Sequence, residues 1–202
     1  MEKSITVFAL PGHEALGEHL TWALNAERGM LTVRNFPDGE TYVRVDTDCD
    51  GKDVVLAATL HHPNSLRLPL AFCAQAARDV GARRVVLVVP YLAYLRQDAR
   101  FQPGEAITSK VFASYLNVAF DGLVTVDSHL HRYASLDELY SIPTRVVHAA
   151  PALATWIREH IPNALIVGPD RESEQWVSEV ARLVGAPFIS RVKFGVEIET
   201  SR

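Results

Sequence analysis

Six short runs of apolar, mostly β-branched residues do most to restrict what this chain can fold into. They are "ITVFAL" (5–10), "DVVLAA" (53–58), "RVVLVVP" (84–90), "LVTVD" (123–127), "RVVHA" (145–149) and "ALIVG" (164–168). Several are apolar without alternation, so both faces of the strand must be covered, as in a parallel sheet flanked by helices. Stretches with three- or four-residue apolar spacing lie between the runs. The pattern predicts an α/β fold with a doubly wound, mostly parallel sheet.

The spacing also assigns helix faces. Leu16, Leu20 and Leu24 form one stripe, and Leu66, Leu70, Cys73 and Ala77 a second, with Gly81 as C-terminal cap. Ile107, Val111 and Tyr115 form a third. Ser65 is placed to cap a helix beginning at Leu66. The segment "LTVRNFPDGETYVRVD" (31–46) reads as strand, turn and strand, predicting a β-hairpin that projects at a sheet edge. A new strand-helix-strand pattern begins after "HAAP" (148–151), so the expected domains are 1–148 and 149–202. The second, about fifty residues, is short for an independent α/β domain and is expected to be incomplete.

Charge and cysteine usage exclude several classes. The net charge is −4 over 202 residues, with both signs dispersed, which argues against nucleic acid or anionic lipid as a partner. Cys49 and Cys73 have neither metal spacing nor a CxxC partner, and "MEKSITVFALPG" holds no long apolar segment ahead of a cleavage signal. No apolar run reaches the roughly 18 residues of a membrane span. A reducing, cytoplasmic setting without a membrane partner is expected.

In open α/β sheets, ligands bind beyond the carboxyl ends of the strands. That rule selects "TLHHPNS" (59–65), "PYLAYLRQD" (90–98), "DSHLHR" (127–132) and "GPDRESE" (168–174). In "RQDARF", Arg96 and Arg100 suit polyphosphate, because a guanidinium offers two parallel donors, while Gln97 and Asp98 orient them or bind a polar ring edge. A solvated turn with ordinary salt bridges is the alternative. "GEAITSK" (104–110) lacks the second glycine of a phosphate-binding loop, although Lys110 is placed to face the crevice. Asp127, His129 and His131 alternate, and an extended strand end would set them on one side. Zinc would need a further protein ligand that the spacing does not supply. Magnesium would take one or two carboxylates, water and substrate phosphates. Asp170 fits either a metal ligand or a helix cap. In "FPDGE" (36–40), Phe36 can stack on a purine while Asp38 and Glu40 accept from its amino group or from ribose hydroxyls; a plain tight turn remains the alternative.

Taken together, "FPDGETYVRV", "GKDVVLAATLHHPN", "RRVVLVVPYLAYLRQDARF", "ITSK", "TVDSHLHR" and "VGPD" resemble the ribose-phosphate pyrophosphokinase (phosphoribosyl pyrophosphate synthetase) family, in that family's order. The resemblance implies a phosphoribosyltransferase-like fold. It also implies a Mg²⁺-dependent transfer of the diphosphoryl group of ATP to ribose 5-phosphate, giving phosphoribosyl diphosphate and AMP. By it, Phe36, Asp38 and Glu40 form an adenine-binding loop acting across a subunit contact in a homo-oligomer. Arg96, Gln97 and Arg100 bind ATP, His129 and Asp170 place Mg²⁺, and Arg96, His129 and Lys193 are catalytic.

The chain departs from the family's pattern in ways that suggest a divergent bacterial branch. "DSHL" stands for "DLHA", followed by the additional His131 and Arg132, and "RESEQ" stands for the glycine-rich tail after the "SPD" motif. Phe194 stands where a second basic residue beside Lys193 is expected. No acidic pair followed by a Thr/Gly-rich phosphate loop occurs. The ribose 5-phosphate pocket is therefore expected to be incomplete unless further sequence or another chain completes it. This leaves an alternative function, a non-catalytic, nucleotide-binding or regulatory homologue that assembles with an active enzyme.

Overall fold

The computed structural model describes residues 4–169 and 173–190. Backbone proximity divides the chain into two compact units, Met1–Val147 and His148–Arg202. In the first, β1 (Ile5–Ala9), α1 (Glu14–Ala23) and β2 (Glu27–Arg28) precede β3 (Leu31–Asn35) and β4 (Thr41–Val45). There follow β5 (Asp53–Ala57), α2 (Pro63–Asp79), β6 (Arg84–Val89), α3 (Thr108–Ala119), β7 (Gly122–Val126), a 3-10 turn at Leu136–Glu138 and β8 (Thr144–Val147). Six strands form one parallel sheet in the order β2-β1-β5-β6-β7-β8.

The sheet register explains the unalternating runs. Phe8, Leu56, Leu87 and Leu123 are neighbours in one row across β1, β5, β6 and β7, and all are buried in the main core. Each such side chain contributes about 1.5–3 kcal/mol by leaving water. On alternate positions Val7 and Val55 pack with Ala26 in a second, smaller cluster, so β1 and β5 are covered on both faces. The two cysteines are buried and free. Burial pushes the Cys73 thiol up to about 12, which keeps it protonated and inert.

The α2 face matches the sequence expectation, with Leu70, Cys73 and Ala77 buried and Leu66 packed against the core, while those of α1 and α3 differ in part. In α1 the buried residue is Gly17, where a Cβ would stand 2.7 Å from the Ala9 Cβ, while Leu24 caps the helix and is exposed. Leu16 and Leu20 are half-buried, and Leu20 packs against the Val7 and Val55 cluster, so the stripe holds at those two positions while Gly17 makes the closest approach to β1. Helix α2 begins at Pro63, with the Ser65 hydroxyl donating to the His62 carbonyl at 3.0 Å, so Ser65 sits inside the first turn. Gly81, at φ +93, follows its end. In α3 the buried face runs through Ser109, Phe112, Ala113 and Leu116, whereas Val111 is exposed and Ile107 is the N-cap. The aromatic ring of Phe112 sets that orientation by packing 4.7 Å from Tyr94.

Strands β3 and β4 pair antiparallel in a sheet of their own, and β4 rests against α2. Leu31 faces Val45 and Val33 faces Val43, giving one apolar side that packs on the core. Thr32 faces Arg44 and Arg34 faces Tyr42 on the other side.

The second unit contains α4 (Ala150–His160), β9 (Ile166–Gly168), α5 (Glu174–Val184) and β10 (Phe188–Ser190), with β9 and β10 parallel. Gly185, at φ +76, ends α5 in the left-handed conformation. No helix among the described residues is long and apolar enough to cross a membrane.

Candidate functional site

Strands β6 and β7 run side by side, with Val89 paired to Thr125, and their following loops part at one point, where the Val126 amide donates to the Pro90 carbonyl at 3.3 Å. Between these loops opens a cleft of about 400 Å³. Tyr91, Tyr94, Arg96 and Gln97 line it from the loop after β6, and Thr108 from the start of α3. Asp127, Ser128 and His129 line it from the loop after β7. Arg96, Gln97 and His129 are thus brought to one place.

The loop after β6 is long, and polar contacts fix its path. Tyr94 adopts φ +63, a costly conformation for a bulky residue, and its hydroxyl donates to the Asn64 side-chain carbonyl in the first turn of α2. The Leu60 amide donates to the Tyr91 carbonyl at 3.1 Å, and the Ser109 amide to the Gln97 carbonyl at 3.3 Å. Glu105 closes the far end, accepting from the amides of Phe101 (2.8 Å) and Gln102 (3.1 Å).

Arg96 is exposed and makes no hydrogen bond or ion pair among the described residues, so its guanidinium is available to a ligand. Arg100 is instead turned into its own loop, donating from Nε to the Glu105 carbonyl at 3.1 Å, and it does not line the cleft. Asp98 was expected to orient the neighbouring arginines; it pairs with Arg132, whose Nη1 lies 2.5 Å from Oδ1. The reason is burial: the Asp98 side chain is 1% exposed and Arg132 reaches it from the loop after β7. Lys110 is exposed outside the cleft, and Thr108 lines it in its place.

His129 is half-buried, and its ring meets that of His131 edge-on at 4.0 Å, with an interplanar angle of 86°. Asp127 has φ +41, a left-handed conformation that aspartate tolerates better than most residues. Only Asp127 and His129 of the alternating trio line the cleft. Among the described residues no group of three or more His, Cys, Asp or Glu is poised around a metal position. A carboxylate and an imidazole that line one cleft are donors a hydrated magnesium ion completed by phosphate oxygens can use.

Phe36, Asp38 and Glu40 lie at the exposed tip of the β3–β4 hairpin and do not line the cleft of their own unit. The tip is closed by the Phe36 amide donating to the Glu40 carbonyl (2.8 Å) and by the Glu40 amide donating to Asp38 Oδ1 (3.1 Å). Arg34, which sequence reasoning missed, holds its guanidinium over both Phe36 (4.7 Å) and Tyr42 (4.3 Å). Its position opposite Tyr42 and two residues before Phe36 was the available signal. Tyr94 and Arg132 were missed as well. Asp170 and Lys193 lie outside the described residues.

A family model described as the N-terminal domain of ribose phosphate pyrophosphokinase matches residues 5–119. The chain belongs to the ribose-phosphate pyrophosphokinase family. Among its relatives, ribose-phosphate pyrophosphokinase of Methanobrevibacter smithii is 33% identical over 190 residues, covering 92% of this chain and 63% of that protein. The Methanopyrus kandleri pyrophosphokinase is 35% identical over 176 residues, 86% of this chain and 59% of its own length. The chain thus spans less than two thirds of these pyrophosphokinases. The crystal structure of phosphoribosylpyrophosphate synthetase from Mycobacterium smegmatis superposes with a TM-score of 0.80 at 24% identity, covering 99% of this chain and 67% of that one, which establishes a common fold.

Proposed function

We propose that the cleft between the β6 and β7 loops binds ATP, and that the chain serves a ribose-phosphate diphosphokinase. In the reaction, the 1-hydroxyl oxygen of ribose 5-phosphate bonds to the β-phosphorus of ATP, the bond from that phosphorus to the oxygen of AMP breaks, and the hydroxyl proton leaves to solvent. The observation that carries this reading is the convergence of Arg96, Gln97 and His129 on one cleft at strand carboxyl ends.

In this reading Arg96 binds and orients the phosphates through its unengaged fork of donors and stabilises charge that grows in the transition state. Gln97 fixes a polar edge of the nucleotide, and Arg100 reaches the phosphates if its bond to the Glu105 carbonyl is exchanged. His129 and Asp170 would hold Mg²⁺. When bound, that ion withdraws charge from the phosphate oxygens. Lys193 is assigned to the same transition-state charge. Phe36, Asp38 and Glu40 reach the adenine of a neighbouring subunit's ATP, which makes the assembly a homo-oligomer, and the setting is cytoplasmic. Alignment of hydroxyl, phosphorus and leaving AMP supplies most of the rate, without a covalent protein intermediate.

The test is AMP formation by the full chain with ATP, Mg²⁺ and ribose 5-phosphate. AMP is expected only when all three are present; release of inorganic phosphate in place of AMP refutes the reaction. The departures at "RESEQ" and Phe194 favour a second reading, a non-catalytic homologue assembled with an active one. Activity of such an assembly would survive replacement of Arg96 and His129 in this chain.

A further inference from the structure

We propose that Arg132 is a positioning residue for the cleft: ion-paired to buried Asp98 and lying over the Phe101 ring, it fixes the segment that carries Arg96 and Gln97. The inference rests on the reading of the cleft as a nucleotide site. Arg132 itself does not line the cleft.

The argument begins with Asp98. Its side chain is 1% exposed; among the described residues the one hydrogen bond to its carboxylate comes from Arg132 at 2.5 Å, and Oδ2 is buried without a partner. An ionised carboxylate in that position depends on a single cation, because burial of an unpaired charge is strongly unfavourable. The guanidinium is also placed 5.1 Å over the Phe101 ring, so one side chain grips the loop at two points. Next to it, the Tyr133 hydroxyl donates to the Asp98 backbone carbonyl at 3.2 Å and lies 3.4 Å from Ser109 Oγ. Ser109 in turn donates its amide to the Gln97 carbonyl. The segment beginning at His129 therefore holds the segment ending at Asp98. The two cleft walls are fastened to each other through Arg132, a residue the sequence presents as a departure from its family's pattern.

The charge requirement supplies the test. In Arg132→Met the stem remains but Asp98 loses its cation, so the segment should leave its buried position. In Asp98→Asn/Arg132→Met there is no charge to compensate, and the segment should return. Amide exchange at Phe101, Gln102 and Ser109 reads the segment directly, with Leu56 and Leu87 as controls in the sheet. Affinity for a Mg²⁺-bound, non-hydrolysable ATP analogue reads the cleft.

For Arg132→Met we expect exchange at the three loop amides to rise at least about tenfold, analogue affinity to fall at least about tenfold, and the sheet amides to stay unchanged. Arg132→Lys keeps the cation but loses the planar group over Phe101, and should fall between the parent and Arg132→Met in both readouts. The double variant should recover the exchange protection. Unchanged exchange or unchanged affinity in Arg132→Met, or a double variant as loose as Arg132→Met, overturns the proposal. A parent chain that fails to bind the analogue refutes the nucleotide reading, and with it the role at the cleft, while the exchange data still decide whether Arg132 anchors the loop.

Discussion

Arg96→Ala should separate ligand binding from stability. The guanidinium is exposed and makes no hydrogen bond or ion pair among the described residues, so its removal should change unfolding free energy by no more than about 0.5 kcal/mol. A charge-assisted hydrogen bond to phosphate contributes about 1.5–3 kcal/mol. At about 1.4 kcal/mol per factor of ten, the affinity for a Mg²⁺-bound ATP analogue should fall roughly 10- to 150-fold. Arg96→Lys keeps the charge without the planar fork and should fall between parent and alanine variant. Titration calorimetry measures the affinity and urea unfolding the stability. The reasoning fails if Arg96→Ala binds the analogue as the parent does, or if it unfolds as easily as a core truncation such as Leu87→Ala, which should cost about 2–5 kcal/mol.

Gly17→Ala sets two effects against each other: helix propensity improves by up to about 1 kcal/mol, while a Cβ 2.7 Å from Ala9 overpacks the α1–β1 contact by about 1–3 kcal/mol. Urea unfolding should show a net loss of about 1 kcal/mol, and a net gain would mean that α1 shifts freely. Asp53 accepts from Arg83 Nε at 2.8 Å and from Arg84 Nη2 at 2.5 Å, and these guanidinium groups hold its carboxyl well below the usual carboxylate range. Because the folded protein binds this proton more weakly than the unfolded chain, the stabilisation is complete above about pH 4 and fades as pH falls toward the depressed value. Asp53→Asn should therefore cost about 1 kcal/mol at pH 7, and urea unfolding at about pH 3 should show a smaller gap. Phe36→Ala should weaken the ATP analogue by about 1–3 kcal/mol if the ring stacks on a base, and the parent's affinity should fall on dilution to monomers. Sedimentation alongside fluorescence titration checks both, and dilution-independent affinity would refute action across subunits.

What could be read in advance followed the physical signals available. Continuous apolar runs located the main parallel strands because coverage on two faces leaves a residue-level trace, visible in the buried row Phe8, Leu56, Leu87 and Leu123. Strand β2 has only two residues, Glu27 and Arg28, too few for any period. Helix faces were harder. In α1 a glycine makes the closest approach and Leu24 of the expected stripe is exposed, and in α3 the buried row is rotated by one residue from the expected one. Of the four loops the strand-end rule selected, those carrying Arg96, Gln97 and His129 line one cleft, since chain direction in a parallel sheet decides which loops share a rim, and no residue of 59–65 lines it. The Asp98–Arg132 pair joins residues 34 apart, and local spacing says nothing about such a match. Arg100 could not be separated from Arg96 beforehand, because the turn back to the Glu105 carbonyl depends on the loop's three-dimensional path.

Tyr94 has a kinetic implication. Its left-handed backbone is held by a hydroxyl bond to the start of α2 and by its ring against Phe112, so the wall it forms is braced from two helices. On the proposed nucleotide reading, the encounter should proceed in one phase whose rate rises linearly with nucleotide concentration, without a plateau from slow rearrangement of that wall.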